Sequence, residues 1–139
     1  MKWEKELEAA KCAAVEAGKA IMDIYQGADQ TLVEYKADQS PLTIADQAAN
    51  KIIVDFLRKT FPQYAILSEE EKDQKSRLEN DYCFVVDPLD GTKEFLKRNG
   101  QFTVNIALAY KHESVMGVIY VPVTGDLYYA AKGSGAFVE

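Results

Sequence analysis

The segment Val85-Val86-Asp87-Pro88-Leu89-Asp90-Gly91-Thr92-Lys93-Glu94-Phe95 carries an apolar run directly into two acids, a glycine and a threonine. The run from Tyr82 to Val86 reads as a buried strand. Pro88 fixes φ and removes a backbone donor. Gly91 permits close backbone approach or an unusual φ. Asp87 and Asp90 stand three residues apart around a proline-containing turn, so both carboxylates can face one point. The residues after Gly91 can open a short helix, whose free N–H groups suit a phosphate. Two convergent carboxylates and a hydroxyl at a strand end are what an oxygen-loving divalent cation needs. Asp, Pro and Gly are equally at home in an ordinary turn, so the segment alone leaves both readings open.

Outward from this segment, the apolar period differs on the two sides. Downstream it is 2. Phe102, Val104, Ile106, Leu108 and Tyr110 alternate over a long strand. Residues 115–121 follow a short turn and are expected to pair antiparallel with it. Thr124-Gly125-Asp126 turns into a strand over 127–131, and Gly133-Ser134-Gly135 turns into another at Ala136-Phe137-Val138. Upstream the period is 3.6. Trp3, Leu7, Ala10, Ala14, Ala17, Ile21 and Ile24 mark an amphipathic helix over 3–26, with Gly27 as its stop. Residues 31–36 suggest a short strand. Ser40-Pro41-Leu42-Thr43 reads as a turn into a second helix, with Thr43 as N-cap, Asp46 on the first turn and Phe61-Pro62 at the end. Tyr64 to Leu67 is a further short apolar run. The pattern predicts an α+β fold in which two N-terminal helices pack on one face of an antiparallel sheet.

Composition bounds the function classes. The chain has 139 residues, the size of one domain. With 47% hydrophobic and 27% charged residues it is neither disordered, collagenous nor coiled coil. No apolar run approaches the length of a membrane span. The start, Met1-Lys2-Trp3-Glu4-Lys5-Glu6, lacks the apolar core of a secretory signal, so a cytoplasmic location is expected. The net charge of −6 argues against a nucleic-acid polymer as partner, because phosphate contacts need Lys and Arg. A bound metal could still supply positive charge for a small phosphate. Cys12 and Cys83 give no disulfide framework and are expected to be buried and inert. The single His112 falls in a turn and cannot build a histidine-rich metal site.

Two more acidic elements accompany Asp87 and Asp90. Ser68-Glu69-Glu70-Glu71 follows an apolar run, and by charge pattern alone is a solvated stretch. Asp46, near a helix start, is explained by capping and dipole compensation alone. Lys93, Lys97 and Arg98 form a basic cluster that reads either as a solvated face or as a grip on a second phosphate.

Order and spacing make the set recognisable. Ser40-Pro41-Leu42-Thr43-Ile44-Ala45-Asp46, Leu67-Ser68-Glu69-Glu70 and Asp87-Pro88-Leu89-Asp90-Gly91-Thr92 resemble the inositol monophosphatase superfamily, and the D-P-[IL]-D-G-T signature is matched in full. The extension Lys93-Glu94-Phe95, with residues 97–105 (KRNGQFTVN), is similar to the 3′(2′),5′-bisphosphate nucleotidase branch. The resemblance implies Mg²⁺-dependent hydrolysis of a phosphomonoester, 3′-phosphoadenosine 5′-phosphate in that branch, with two or three Mg²⁺ ions in the complete fold. It implies Glu69, Asp87, Asp90 and the Leu89 carbonyl as metal ligands. Thr92 and Asp46 become the catalytic pair that orients the attacking water, and Glu69, Asp90, Gly91 and Thr92 line the substrate phosphate. A haloacid-dehalogenase reading of Asp-Gly-Thr fails on spacing, since that motif has one residue between its acids and this chain has two.

Members of the superfamily are about twice this long. Their second half, an α/β domain, carries a further metal-ligand Asp in a W-D-x-A-A-G-type motif and most of the leaving-group pocket. No such motif occurs here, and the only tryptophan is Trp3. Residues 1–139 are therefore expected to be the N-terminal metal-binding half of that fold, without the C-terminal domain. An apolar sheet surface left open would suit a homo-oligomer or a partner chain, and the isolated chain is expected to be a weak enzyme or an inactive one.

Overall fold

The structure, a computed structural model, describes residues 2–31, 41–68, 80–91 and 101–139. Two helices, α1 (Glu4–Thr31) and α2 (Pro41–Thr60), precede six strands: β1 (Ala65–Ser68), β2 (Tyr82–Asp90), β3 (Thr103–Tyr110), β4 (Glu113–Val121), β5 (Asp126–Ala131) and β6 (Gly135–Val138). The strands form one sheet in sequence order. The α+β architecture expected from the two periods is present, with one correction: β1 runs parallel to β2, and only the remaining pairs are antiparallel. A four-residue apolar run carries no signal of strand direction.

The helices form because small and branched apolar side chains recur on one stripe. In α1, Leu7, Ala10, Ala14, Ala17 and Ile21 are buried, and in α2, Ala45, Ala49, Ile53 and Leu57. Their alanines let the two helices approach each other and the sheet closely. At Gly18 no larger side chain fits, since a Cβ there would sit 2.7 Å from Tyr120 Cδ2.

Four local expectations are corrected. Gly27 does not stop α1, which continues to Thr31. An isolated glycine costs a helix only about 1 kcal/mol relative to alanine. Thr31 accordingly belongs to a helix, and the rest of the expected strand over 31–36 lies outside the described residues. Helix α2 begins at Pro41, not after Thr43, because proline is preorganised for a first helical position whose N–H has no partner in any case. Cys12 is exposed and Cys83 only half-buried, against the expectation that both are buried.

The sheet has one covered face and one open face, and the register makes the difference plain. Val86, Ile106 and Val118 are paired across β2, β3 and β4 and each is 1% exposed beneath the helices. One residue further on, the row Asp87, Asn105, Ile119, Tyr128 and Val138 crosses the opposite face. There Ile119 is 45%, Tyr128 44% and Val138 59% exposed. The adjoining row is Val85, Ala107, Gly117, Ala130 and Ala136. Its small side chains leave a shallow apolar groove of about 470 Å³ that reaches Asp87 and Asn105.

Candidate functional site

The end of β2 is built around a bulge. Asp87 pairs with Asn105 and Asp90 with Thr103, so Pro88 and Leu89 together stand opposite the single residue Val104. In an uninterrupted strand, side chains three residues apart point to opposite faces. The extra residue cancels that alternation. Pro88 and Leu89 are buried, which anchors the bulge in the core. Asp87 and Asp90 consequently share the open face. Asp87 is half-buried and Asp90 exposed. Gly91, with φ of 96°, turns the chain immediately after Asp90.

The Asp90 carboxylate is held from β3. Asn105 Nδ2 donates to Asp90 Oδ2 at 3.1 Å, and Thr103 Oγ1 donates to Asn105 Oδ1 at 3.0 Å. Both lie in the stretch 97–105 that resembles the nucleotidase branch, but sequence reading assigned neither a role. Both occupy outward positions between the buried Phe102, Val104 and Ile106, where a polar side chain is the ordinary pattern of a half-buried strand.

Asp46, the remaining described acid named from sequence, lies on α2. Asp46 is half-buried in the second turn of α2, one turn before Asn50. That position lies beyond a capping role, and α2 has no acid in its first turn. Asn50 is buried, and its Oδ1 accepts a hydrogen bond from the Ser68 hydroxyl, also buried, at the end of β1. Ser68 pairs with Val86, the residue before Asp87. The helix carrying Asp46, the end of β1 and the bulge of β2 are thus locked together at one end of the fold. A signal for Asn50 existed: it is a polar residue on the helix face otherwise made of Ala49, Ile53 and Leu57.

Of the residues named from sequence, Asp46, Asp87, Leu89, Asp90 and Gly91 are described, whereas Glu69 and Thr92, with the basic cluster and the short helix expected after Gly91, lie outside the described residues. Among the described residues, no group of three or more His, Cys, Asp or Glu side chains converges on one point. The donor set that is described, two carboxylates on one face with one of them tied down by a neutral amide, fits a hard divalent cation. No described helix is long and apolar enough to cross a membrane.

The fold and this motif define a known class. The family model for the inositol monophosphatase family matches residues 2–139, and the chain belongs to that family. It is 49% identical over 118 residues to the 3′(2′),5′-bisphosphate nucleotidase CysQ of Escherichia coli K12, covering 84% of this chain and 48% of that protein. It is 46% identical over 139 residues to the protein of the same name from Buchnera aphidicola, covering 99% of this chain and 52% of the relative. Among solved structures, CysQ from Bacteroides thetaiotaomicron superposes with a TM-score of 0.87 at 49% identity over 97% of this chain and 49% of that one. SuhB from Bartonella henselae superposes with a TM-score of 0.80 at 34% identity. The chain spans about half the length of the relatives it matches.

Proposed function

We propose that residues 1–139 carry the metal-binding half of a phosphomonoesterase whose substrate is a small bisphosphorylated nucleotide, 3′-phosphoadenosine 5′-phosphate being the best candidate. The observation that carries this reading is the bulge that turns Asp87 and Asp90 to one face. It is supported by the naming of the relatives as 3′(2′),5′-bisphosphate nucleotidases.

In this reading Asp87, Asp90, the Leu89 carbonyl and Glu69 hold Mg²⁺. When bound, Mg²⁺ supplies Lewis-acid activation of water and neutralises the phosphate charge. The protein contributes the geometry. Asp87 and Asp90 present oxygens from a strand end fixed by the buried Pro88 and Leu89. Asp46, with Thr92, takes the role of orienting the attacking water. Gly91 and Thr92 take the role of hydrogen-bonding the phosphate. Uncatalysed phosphomonoester hydrolysis is extremely slow, so positioning and charge account for most of the acceleration.

The test is phosphate release from 3′-phosphoadenosine 5′-phosphate by this chain with Mg²⁺, with chelator, and in Asp87→Asn. Weak chelator-sensitive turnover that is lost in the variant is the expected result. Turnover that Asp87→Asn leaves intact would overturn the assignment. A second reading is favoured by the open face that carries Asp87, where Val85, Ile119 and Tyr128 are each more than 40% exposed. In that reading the chain binds metal but turns over substrate only when a second copy or a partner chain covers the sheet. Well-folded protein that binds Mg²⁺ without turnover would favour it.

A further inference from the structure

We infer that Asn105, with Thr103 behind it, is a positioning residue that sets the orientation of the Asp90 carboxylate. The inference rests on the reading of Asp90 as a metal ligand. An exposed aspartate at a strand end rotates freely in water. Here one of its oxygens is tied down, because Asn105 Nδ2 donates to Oδ2 at 3.1 Å. A side-chain amide has a donor end and an acceptor end, and the wrong end would set a carbonyl oxygen against a carboxylate. The carboxylate, which can only accept, selects the NH₂ end. The Thr103 hydroxyl donates to Asn105 Oδ1 at 3.0 Å and so holds the amide in that orientation from behind.

The placement follows from the register. Asn105 stands directly opposite Asp87, while Thr103 stands opposite Asp90. The amide therefore reaches diagonally across the bulge from the partner position of one acid to the carboxylate of the other. The choice of donor also matters. A lysine or arginine would hold Asp90 and cancel its charge. A neutral amide holds it and leaves the full negative charge for a cation. An ionised carboxylate offers about four lone-pair positions, so one bond at Oδ2 leaves Oδ1 open to a metal. Groups that orient metal ligands in this way are commonly worth about 10- to 100-fold in metal affinity.

The test uses the full chain and Mn²⁺ as probe, with three readouts: calorimetric affinity, the ¹⁵N signal of the Asn105 side-chain amide, and thermal unfolding. Asn105→Ala is expected to weaken Mn²⁺ binding about tenfold or more. Thr103→Val is expected to weaken it several-fold with little change in unfolding temperature. Thr103→Ser, which keeps the hydroxyl, is expected to restore wild-type affinity. The Asn105 amide signals should move in both Asp90→Ala and Thr103→Val. Equal Mn²⁺ affinity in wild type, Asn105→Ala and Thr103→Val would overturn the inference. If Asn105→Ala does not fold, the Thr103→Val and Thr103→Ser pair decides the matter with Asn105 in place. If wild type binds no Mn²⁺, the metal reading fails separately. The amide signals then decide: movement in Asp90→Ala upholds the orienting role, and no movement overturns it.

Discussion

The Ser68 hydroxyl donates a hydrogen bond to Asn50 Oδ1, joining the end of β1 to the middle of α2 through two buried polar side chains. Removing one partner leaves a buried polar group facing an apolar replacement, which typically costs about 1–3 kcal/mol. Asn50→Ala and Ser68→Ala should each destabilise the chain within that range. Because both residues have further contacts, the pair is isolated by a double-mutant cycle. Urea unfolding of the four proteins should give a coupling of at least about 0.5 kcal/mol, and strict additivity would show that the bond contributes nothing.

Gly91 adopts φ of 96° immediately after Asp90. An L-residue with a Cβ is strained there, and Gly91→Ala should cost about 1–2 kcal/mol. Gly117 is the matched control. It lies mid-strand in β4, and a Cβ there meets nothing within 4 Å. Gly117→Ala should be neutral or stabilising by up to about 1 kcal/mol, through the lost backbone freedom of the unfolded chain. Equal denaturant midpoints for the two variants would remove the backbone argument for glycine after the motif.

What could be read in advance was what is periodic or local. The stripes of α1 and α2 and the alternation of β3 involve residues close in sequence, and those elements were found where their side chains required. The nearness of Asp87 and Asp90 was also legible, since proline and glycine mark a change of direction. How they come to share a face was not. A bulge is defined by two strands, and only the pairing with Asn105 and Thr103 reveals it. Asn105 itself was hidden for the same reason: an outward polar residue in a strand has an ordinary explanation until its cross-strand neighbour is known. The direction of β1 was illegible too, because its parallel pairing with β2 is set by tertiary packing and not by a four-residue pattern. Gly27 misled because a helix held by a buried stripe from Leu7 to Tyr25 tolerates one residue of poor propensity.

Tyr64 donates from its hydroxyl to Glu6 Oε2 at 2.7 Å, between the approach to β1 and the start of α1. Its ring stacks on Phe61 and Tyr82. Burial is the main cause that pushes the Tyr64 phenol up from its ordinary value, and the hydrogen bond to the Glu6 carboxylate adds to it. The folded state therefore keeps this proton at a pH where the unfolded chain, with an ordinary tyrosine near about 10, releases it. Stability from this group is fully present below about pH 10 and declines as pH rises beyond it, because the native state binds the extra proton. Tyr64→Phe removes the titration and deprives Glu6 of a donor. Wild type should accordingly be the more stable protein at pH 7, and its advantage should shrink between about pH 10 and 11. Urea unfolding of both proteins from pH 7 to 11 measures this directly. A gap that stays constant across that window would mean that the Tyr64 proton is not linked to folding.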